Sequence, residues 1–197
     1  NVQGQLYGAN DQAIGSVASV ENGAWFGTVS ELSNGTVAIA YQKVVSPNGW
    51  QIFVRNYDPA TGILGNAISV NATDSGDQQL AQTTALQDGG YVITWQSNGN
   101  SEDTDAYGIF GQRFDASGNK VGDEFKANTT VVGDQRAPGI VGLEDGGFLI
   151  QWMSNGQDGD SWGQYAQRFD SDGGFVGDEF KLNEITAGSQ NTWFQDN

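Results

Sequence analysis

The sequence predicts an all-β fold: an antiparallel, propeller-like repeat domain with about four blades of roughly 50–57 residues each. Two observations predict it. Apolar and polar residues alternate within short segments, as at Tyr91, Ile93 and Trp95, and no segment shows a useful helical period. Three markers also repeat together: a strand-ending aromatic at Tyr41, Trp95 and Trp152, a second aromatic at Tyr7, Tyr57, Phe114 and Phe169, and a glycine at Gly15, Gly65, Gly122 and Gly177.

Each repeat unit consists of four predicted strands joined by polar turns. In the third unit the strands are predicted at 137–143, 148–154, 162–169 and 175–182. The turns at 144–147 and 170–174 contain acidic residues followed by glycine, which can adopt the positive φ that tight hairpins need. Four strands in about 50 residues are typical of a propeller blade. Solenoid coils are shorter, about 20–30 residues, and a β-sandwich needs about seven strands.

The repeats divide the chain into a single repeat domain, 1–197. It comprises a half repeat, three repeats and the start of a further repeat, at 1–22, 23–73, 74–130, 131–185 and 186–197. We expect the two ends to share a terminal blade, with its first strand from 190–195 and its last two strands from the half repeat. This blade lacks a second strand. An open strand edge pairs readily with a neighbouring molecule, and the alternative is an excerpt from a longer array.

Composition excludes several classes of function. The chain of 197 residues has no Cys and no His, which excludes thiol nucleophiles, His bases and ordinary zinc or copper sites. Its net charge of −16 repels nucleic acid and anionic membranes. No apolar run reaches 18 residues, so no membrane insertion is expected. The acidity fits either solubility in salt or carboxylates that hold a hard cation such as calcium.

The phrases GGYVITWQS, YGIFGQRFDASGNKVGDEFKAN and SWGQYAQRFDSDGGFVGDEFKLN resemble repeats of large secreted bacterial proteins, the adhesin-like members of the hemolysin-type calcium-binding (RTX) group. The resemblance covers 74–185 well and the first unit poorly. It implies a bacterial extracellular or cell-surface location, a calcium-rich setting, and a role in adhesion or surface assembly. The GGxGxDxUx nonapeptide is lacking, so the calcium-binding β-roll is not implied.

Two acidic loops between second and third strands are candidate calcium sites. Each offers carboxylates two residues apart, and the predicted ligands are Asp103, Asp105, Asp158 and Asp160. Calcium takes six to eight oxygen ligands from flexible loops of this kind. The spacing does not match an EF-hand. The alternative is a pair of solvated loops with local Asx-turns.

Aromatic residues fall into two predicted groups. Tyr41, Trp95 and Trp152 alternate with core residues, so we expect them to pack between blades. Three others directly follow the polar loops and are candidate stacking platforms for a ligand: Trp50, Tyr107 and Trp162. Trp25, at the start of a first strand, is expected to pack at a blade seam.

No catalytic residues are predicted. The paired carboxylates of the VGDEF phrase, such as Asp123 and Glu124, face opposite sides of a strand and do not converge on one substrate. We expect Arg113 and Arg168 to pair with Glu124 or Glu179 between blades.

The sequence therefore predicts a non-enzymatic, calcium-stabilised extracellular module for adhesion or glycan binding. Its expected partner is a cell-surface or matrix polysaccharide, or other copies of itself. One alternative is a structural subunit of a surface layer or filament that assembles through the incomplete blade. A second alternative is a polysaccharide-active enzyme, although a glycosidase needs two carboxylates in one cleft.

Overall fold

A computed structural model describes residues 1–7, 12–99, 107–159 and 161–182. The described residues form strands, turns and bends, with no helix that could cross a membrane. The strands are β1 Val2–Tyr7, β2 Ala13–Glu21, β3 Ala24–Glu31, β4 Val37–Val44, β5 Trp50–Asp58, β6 Ile63–Leu64, β7 Ile68–Ser69, β8 Gln78–Ala85, β9 Tyr91–Ser97, β10 Gly108–Phe114, β11 Lys120–Lys126, β12 Gln135–Gly142, β13 Phe148–Asn155, β14 Trp162–Phe169 and β15 Phe175–Lys181.

The strands form separate antiparallel sheets, each from one continuous stretch of chain. Blade 1 has the order β3-β4-β5-β6, with β7 also paired to β5. Blade 2 contains β8 to β11 and blade 3 contains β12 to β15, each in sequence order. The N-terminal hairpin is β1 paired with β2. These sheets confirm the predicted all-β, propeller-like architecture. The predicted strand at 190–195 lies outside the described residues.

Hairpin turns form where acidic residues and glycine occur together. In the turn between β10 and β11, Asp115 Oδ1 accepts hydrogen bonds from the backbone N–H groups of Ser117 and Asn119, both at 2.9 Å. Gly118 has a φ of 85°, which a residue with a Cβ adopts only under strain. The sequence therefore determines these turns locally.

The hydrophobic core lies between neighbouring sheets. The strand-ending aromatics Tyr41, Trp95 and Trp152 are at most 1 % exposed, which confirms their predicted packing role. One cluster joins blades 1 and 2, where Ile52 and Val54 contact Trp95 and its neighbours. Another joins blades 2 and 3, and a third joins the N-terminal hairpin to blade 1.

The predicted partners of the strand arginines are wrong. Arg113 pairs with Asp88 at 3.5 Å and Arg168 pairs with Asp145, each in the turn between the first two strands of the same blade. The register explains this, because the third strand lies antiparallel to the second and its end reaches that turn.

Glu124 and Glu179 have a different structural role. Glu124 accepts a hydrogen bond from the backbone N–H of Ala72 at 2.6 Å, and Glu179 accepts one from the N–H of Thr129 at 2.7 Å. In both cases the outer strand of a blade holds the linker that leads into that blade.

The innermost strands carry a repeated bulge. Phe26, Leu80 and Ala137 have φ values of 45°, 56° and 53° at equivalent positions where the register shifts. Positive φ is costly for residues with a Cβ. The N–H of Leu80 donates to Gln42 Oε1 at 2.9 Å, and the N–H of Ala137 donates to Gln96 Oε1 at 3.0 Å. A glutamine of each preceding blade therefore holds the bulge of the next.

Candidate binding cleft between blades 1 and 2

The three predicted platform residues occupy equivalent positions. Trp50 begins β5, Tyr107 directly precedes β10 and Trp162 begins β14, and all three are partly exposed. The backbone N–H of Trp50 donates to Asp77 Oδ1 at 3.0 Å, and that of Tyr107 donates to Asp134 Oδ1 at 3.2 Å. A carboxylate at the start of the next blade thus anchors each of the first two platforms.

A polar cleft lies beside Trp50, between blades 1 and 2. It has a volume of about 440 Å³ and is lined by Pro47, Asn48, Gly49, Asp74, Ser75, Gly76, Asp77 and Asn98. Its walls are the turn before β5, the linker before β8 and the end of β9. Carboxylates, amides and one hydroxyl therefore converge on one opening.

Buried side chains brace this cleft. Gln51 is 3 % exposed, and its Nε2 donates to the carbonyl oxygens of Asn48, Asp74 and Gly76 at 3.0, 3.2 and 3.2 Å. Asn71 Nδ2 donates to Gln51 Oε1 at 2.6 Å, which fixes the orientation of that amide. Both walls of the cleft are therefore tied to one buried side chain.

Glycine is required where the walls approach each other. Gly76 has a φ of 71°, and a Cβ on it would lie 2.6 Å from both Asn98 Oδ1 and the Cα of Gly99. Asn98 Oδ1 also accepts a 2.6 Å hydrogen bond from the N–H of Asp77. A larger residue would force the linker and the end of β9 apart.

Two tryptophans contact each other on blade 1, and one of them, Trp50, directly follows the turn that forms one wall of the cleft. Trp50 alternates with Ile52 and Val54, which pack against blade 2, so its ring faces the same side. The Trp25 ring meets it nearly perpendicularly, with centroids 6.5 Å apart. Trp25 is 60 % exposed, so it does not pack into a blade seam as predicted. The bulge at Phe26 shifts the local register, which sequence alternation does not reveal.

The equivalent region between blades 2 and 3 differs in its side chains. The guanidinium of Arg136 lies 4.4 Å from the centroid of the Tyr107 ring and pairs with Asp134 at 2.9 Å. Val131 and Val132 occupy the linker positions of Asp74 and Ser75 and are exposed. The Arg136 guanidinium therefore covers one face of the Tyr107 ring.

The pKa of Tyr107 is raised above its ordinary value. Burial raises the pKa of Tyr107, the negative charges of Asp77 and Asp134 raise it further, and Arg136 opposes them. The phenol consequently remains a hydrogen-bond donor at neutral pH.

Trp162 lies apart from the other two platforms. By strand alternation its side chain lies on the same face of β14 as those of Gln164 and Arg168. This face is opposite the one that packs against blade 2. It therefore lies on the outer face of blade 3, which no described blade covers.

One of the four predicted calcium ligands is within the described residues. Asp158 Oδ2 pairs with Lys181 Nζ at 2.5 Å, and the Asp158 side chain is 7 % exposed. Asp103, Asp105 and Asp160 lie outside the described part of the chain. Within that part, no group of three or more His, Cys, Asp or Glu side chains could hold a metal.

The fold and cleft define a propeller-like β-repeat protein, and comparison with solved structures agrees. An endo-arabinase from Bacteroides thetaiotaomicron has a TM-score of 0.54 at 17% identity, over 81% of this chain and 62% of that one. A thermostable family-43 glycoside hydrolase has a TM-score of 0.56 at 13% identity, over 85% and 56%. A fucose lectin from Kordia zhangzhouensis, solved with methyl-fucoside, has a TM-score of 0.43 at 13% identity, over 85% and 98%.

This chain spans about three fifths of the length of the two hydrolases. At these identities the likeness to the two hydrolases shows a shared propeller-type fold. No protein-family model matches the chain, and no curated protein does.

Proposed function

We propose that this protein is a non-enzymatic carbohydrate-binding module that acts outside a bacterial cell, with the Trp50 cleft as its binding site. The observation that carries the proposal is a braced opening that presents Asp74 and Asp77, directly beside the partly exposed Trp50. Ligand pockets typically combine aromatic surface with a few fixed polar groups. That the two hydrolases act on carbohydrates, by their names, supports the same class of ligand.

The chemistry of the cleft suits a sugar. The C–H face of a pyranose packs against an aromatic ring, and its hydroxyl groups donate to carboxylate oxygens. No Lys or Arg is among the described residues that line the opening. The proposed partner is therefore a cell-surface or matrix polysaccharide with few charges.

The carboxylate arrangement favours binding over hydrolysis. Asp74 and Asp77 are the acidic residues among those lining the cleft, and Asp77 Oδ1 already accepts the N–H of Trp50. A glycosidase needs two carboxylates available on opposite sides of one bond. We therefore assign Asp77 to positioning of the platform.

The test compares Trp50→Ala with Tyr107→Ala on soluble arabinan, galactan and mannan. Affinity electrophoresis and isothermal titration calorimetry measure binding, and a reducing-sugar assay measures hydrolysis. We expect wild type to bind at least one polymer, Trp50→Ala to bind it about tenfold more weakly or worse, and Tyr107→Ala to bind normally. An equal loss of polysaccharide binding in both variants would show that the Trp50 cleft is not the binding site. Release of reducing ends from the polymer would show that the protein is an enzyme.

Calcium remains part of the proposal. We propose that it orders the acidic loops through Asp103, Asp105 and Asp160, while Lys181 competes for Asp158. Melting curves in calcium and in EDTA test this, and identical midpoints would exclude a stabilising role.

A second candidate function is assembly with other copies of this chain. Arg113, in the seam between blades 2 and 3, is 12% exposed, whereas its equivalent Arg168 on the outer face of blade 3 is 42% exposed. An uncovered blade face is a surface on which another copy can pack. Analytical ultracentrifugation tests this, and a strict monomer at high concentration would exclude it.

A further inference from the structure

A second cleft lies at the outer rim of blade 3, away from Trp50. It has a volume of about 450 Å³. Its lining residues come from the linker before blade 3, the loop after β13 and the last two strands: Thr129, Thr130, Gln157, Gln167, Phe175, Gly177, Asp178 and Glu179.

Two buried amide oxygens in this cleft lack hydrogen-bond donors among the described residues. Gln167 is 1% exposed, and its Nε2 donates to the carbonyl oxygens of Arg168 at 2.9 Å and Gly177 at 3.1 Å. Gln157 Nε2 donates to Glu179 Oε1. The Oε1 atoms of both glutamines are buried and accept no hydrogen bond from any described residue. Buried acceptors are normally paired, so this pattern indicates a missing donor.

Both oxygens of the neighbouring Glu179 carboxylate already accept hydrogen bonds. Glu179 Oε2 accepts from the N–H and Oγ1 of Thr129 at 2.7 and 2.9 Å and from the N–H of Thr130 at 3.4 Å. Its Oε1 accepts from Thr130 Oγ1 at 3.2 Å and from Gln157. A metal ion would have to displace these donors, whereas a ligand with hydroxyl groups needs only the free glutamine oxygens.

An aromatic ring completes the cleft. Phe175 is 55% exposed and lines the opening, and its inner side contacts Phe169 with ring centroids 5.2 Å apart. An exposed ring beside unsatisfied acceptors offers an apolar surface and fixed polar groups together.

Blade 2 lacks the exposed aromatic ring of this cleft. Lys120 occupies the position of Phe175, because Phe114 pairs with Lys120 and Phe169 with Phe175 in the two registers. Burial lowers the pKa of Lys120 and the charge of Glu124 raises it, so this ammonium lies within electrostatic reach of the equivalent glutamate. Blade 2 thus has a cation where blade 3 has a ring.

We infer that the rim cleft of blade 3 is a second saccharide subsite, in which a neutral sugar stacks on Phe175 and its hydroxyl groups donate to Gln157 and Gln167. This inference rests on the proposed function for its class of ligand. It differs in location and in the residues that hold the sugar.

The test uses Phe175→Lys, which copies the residue that blade 2 accommodates. Saturation-transfer NMR and calorimetry with neutral methyl glycosides, and then with the polymer that wild type binds, report contacts and stoichiometry. We expect two sites in wild type, one in Phe175→Lys and one in Trp50→Ala. Gln157→Leu, at a partly exposed position, is a second variant and should weaken the rim site about tenfold without changing the melting midpoint.

The outcomes separate the two proposals. Wild-type binding that Trp50→Ala abolishes and Phe175→Lys leaves unchanged would overturn the rim subsite and keep the proposed function. Failure of every saccharide to bind would overturn both. Terbium luminescence sensitised by nearby Tyr165 and lost in Glu179→Gln, without saccharide binding, would assign the rim cleft to a cation.

Discussion

The region beside Trp50, between blades 1 and 2, and the region beside Tyr107, between blades 2 and 3, share a backbone scaffold and differ in their side chains. In both, an aspartate of the following blade accepts the N–H of the platform residue, at Asp77 for Trp50 and at Asp134 for Tyr107. Beside Trp50, blades 1 and 2 form an open, polar cleft. Beside Tyr107, Arg136 covers the aromatic ring. Repetition of the backbone anchors therefore does not imply repetition of the binding site.

The largest expected effect comes from the linker glycines. Gly76→Ala and Gly133→Ala each place a Cβ on a left-handed backbone, 2.6 Å from Asn98 Oδ1 or 2.5 Å from the carbonyl oxygen of Asn155. We expect each change to lower the free energy of unfolding by about 2–4 kcal/mol. Only Gly76→Ala should abolish polysaccharide binding. Urea unfolding measures stability and calorimetry measures binding, and equal binding by both variants would contradict the difference between the Trp50 and Tyr107 regions.

A smaller effect is expected from the brace of the first cleft. Gln51 faces Lys43 in blade 1, and the equivalent residue in blade 2, opposite Ser97, is Gly108. Gln51→Gly copies blade 2 and leaves the carbonyls of Asn48, Asp74 and Gly76 without their shared donor. We expect a loss of about 1–3 kcal/mol in unfolding free energy.

Binding by this variant tests preorganisation of the cleft. Calorimetry should show weaker affinity with a less favourable entropy, because the walls must order when the sugar binds. Unchanged affinity together with reduced stability would show that the brace serves the fold alone.

The smallest change in stability is expected at Arg136. Arg136→Ala removes an exposed ion pair and a cation–π contact, which together contribute about 1 kcal/mol or less. It also uncovers the Tyr107 ring. We expect an additional weak binding event for the polysaccharide, visible in the stoichiometry. Lys43→Ala is the control, because it removes a similar ion pair, between Lys43 and Glu21 at 2.7 Å, that belongs to blade 1 and not to the Tyr107 region.

The sequence was sufficient for the parts of the fold that local chemistry determines. Alternation identified the buried face that carries Trp95 and Trp152, and the Asp and Gly residues of the hairpins identified the turns. The equivalent placement of Trp50, Tyr107 and Trp162 followed from the period. These features depend on residues close in sequence or on regular spacing.

Features that depend on contacts between blades were not predictable in the same way. The pairing of Arg113 with Asp88 requires the register of two strands, and the exposure of Trp25 follows from a bulge. The contact of the Arg136 guanidinium with the Tyr107 ring is made between two different repeats. The rim cleft at Gln167 depends on a linker, a loop and two strands meeting, and no local pattern marks it.

The hydrogen bonds that hold the bulges of the inner strands all run the same way along the chain, from one blade to a glutamine of the preceding blade. Gln42 holds Leu80, and Gln96 holds Ala137, so each unit supplies the acceptor for its successor. The third position in this series is Met153, opposite Arg136, which offers no comparable acceptor. Removing blade 3 should therefore leave the bulge of blade 2 in place. Removing blade 1 should remove Gln42 and leave the N–H of Leu80, in the bulge of blade 2, without its acceptor. The blades are therefore not interchangeable. An extra copy of a blade would receive this hydrogen bond only if it followed blade 1 or blade 2, which supply a glutamine, and not blade 3, which has Met153 at that position.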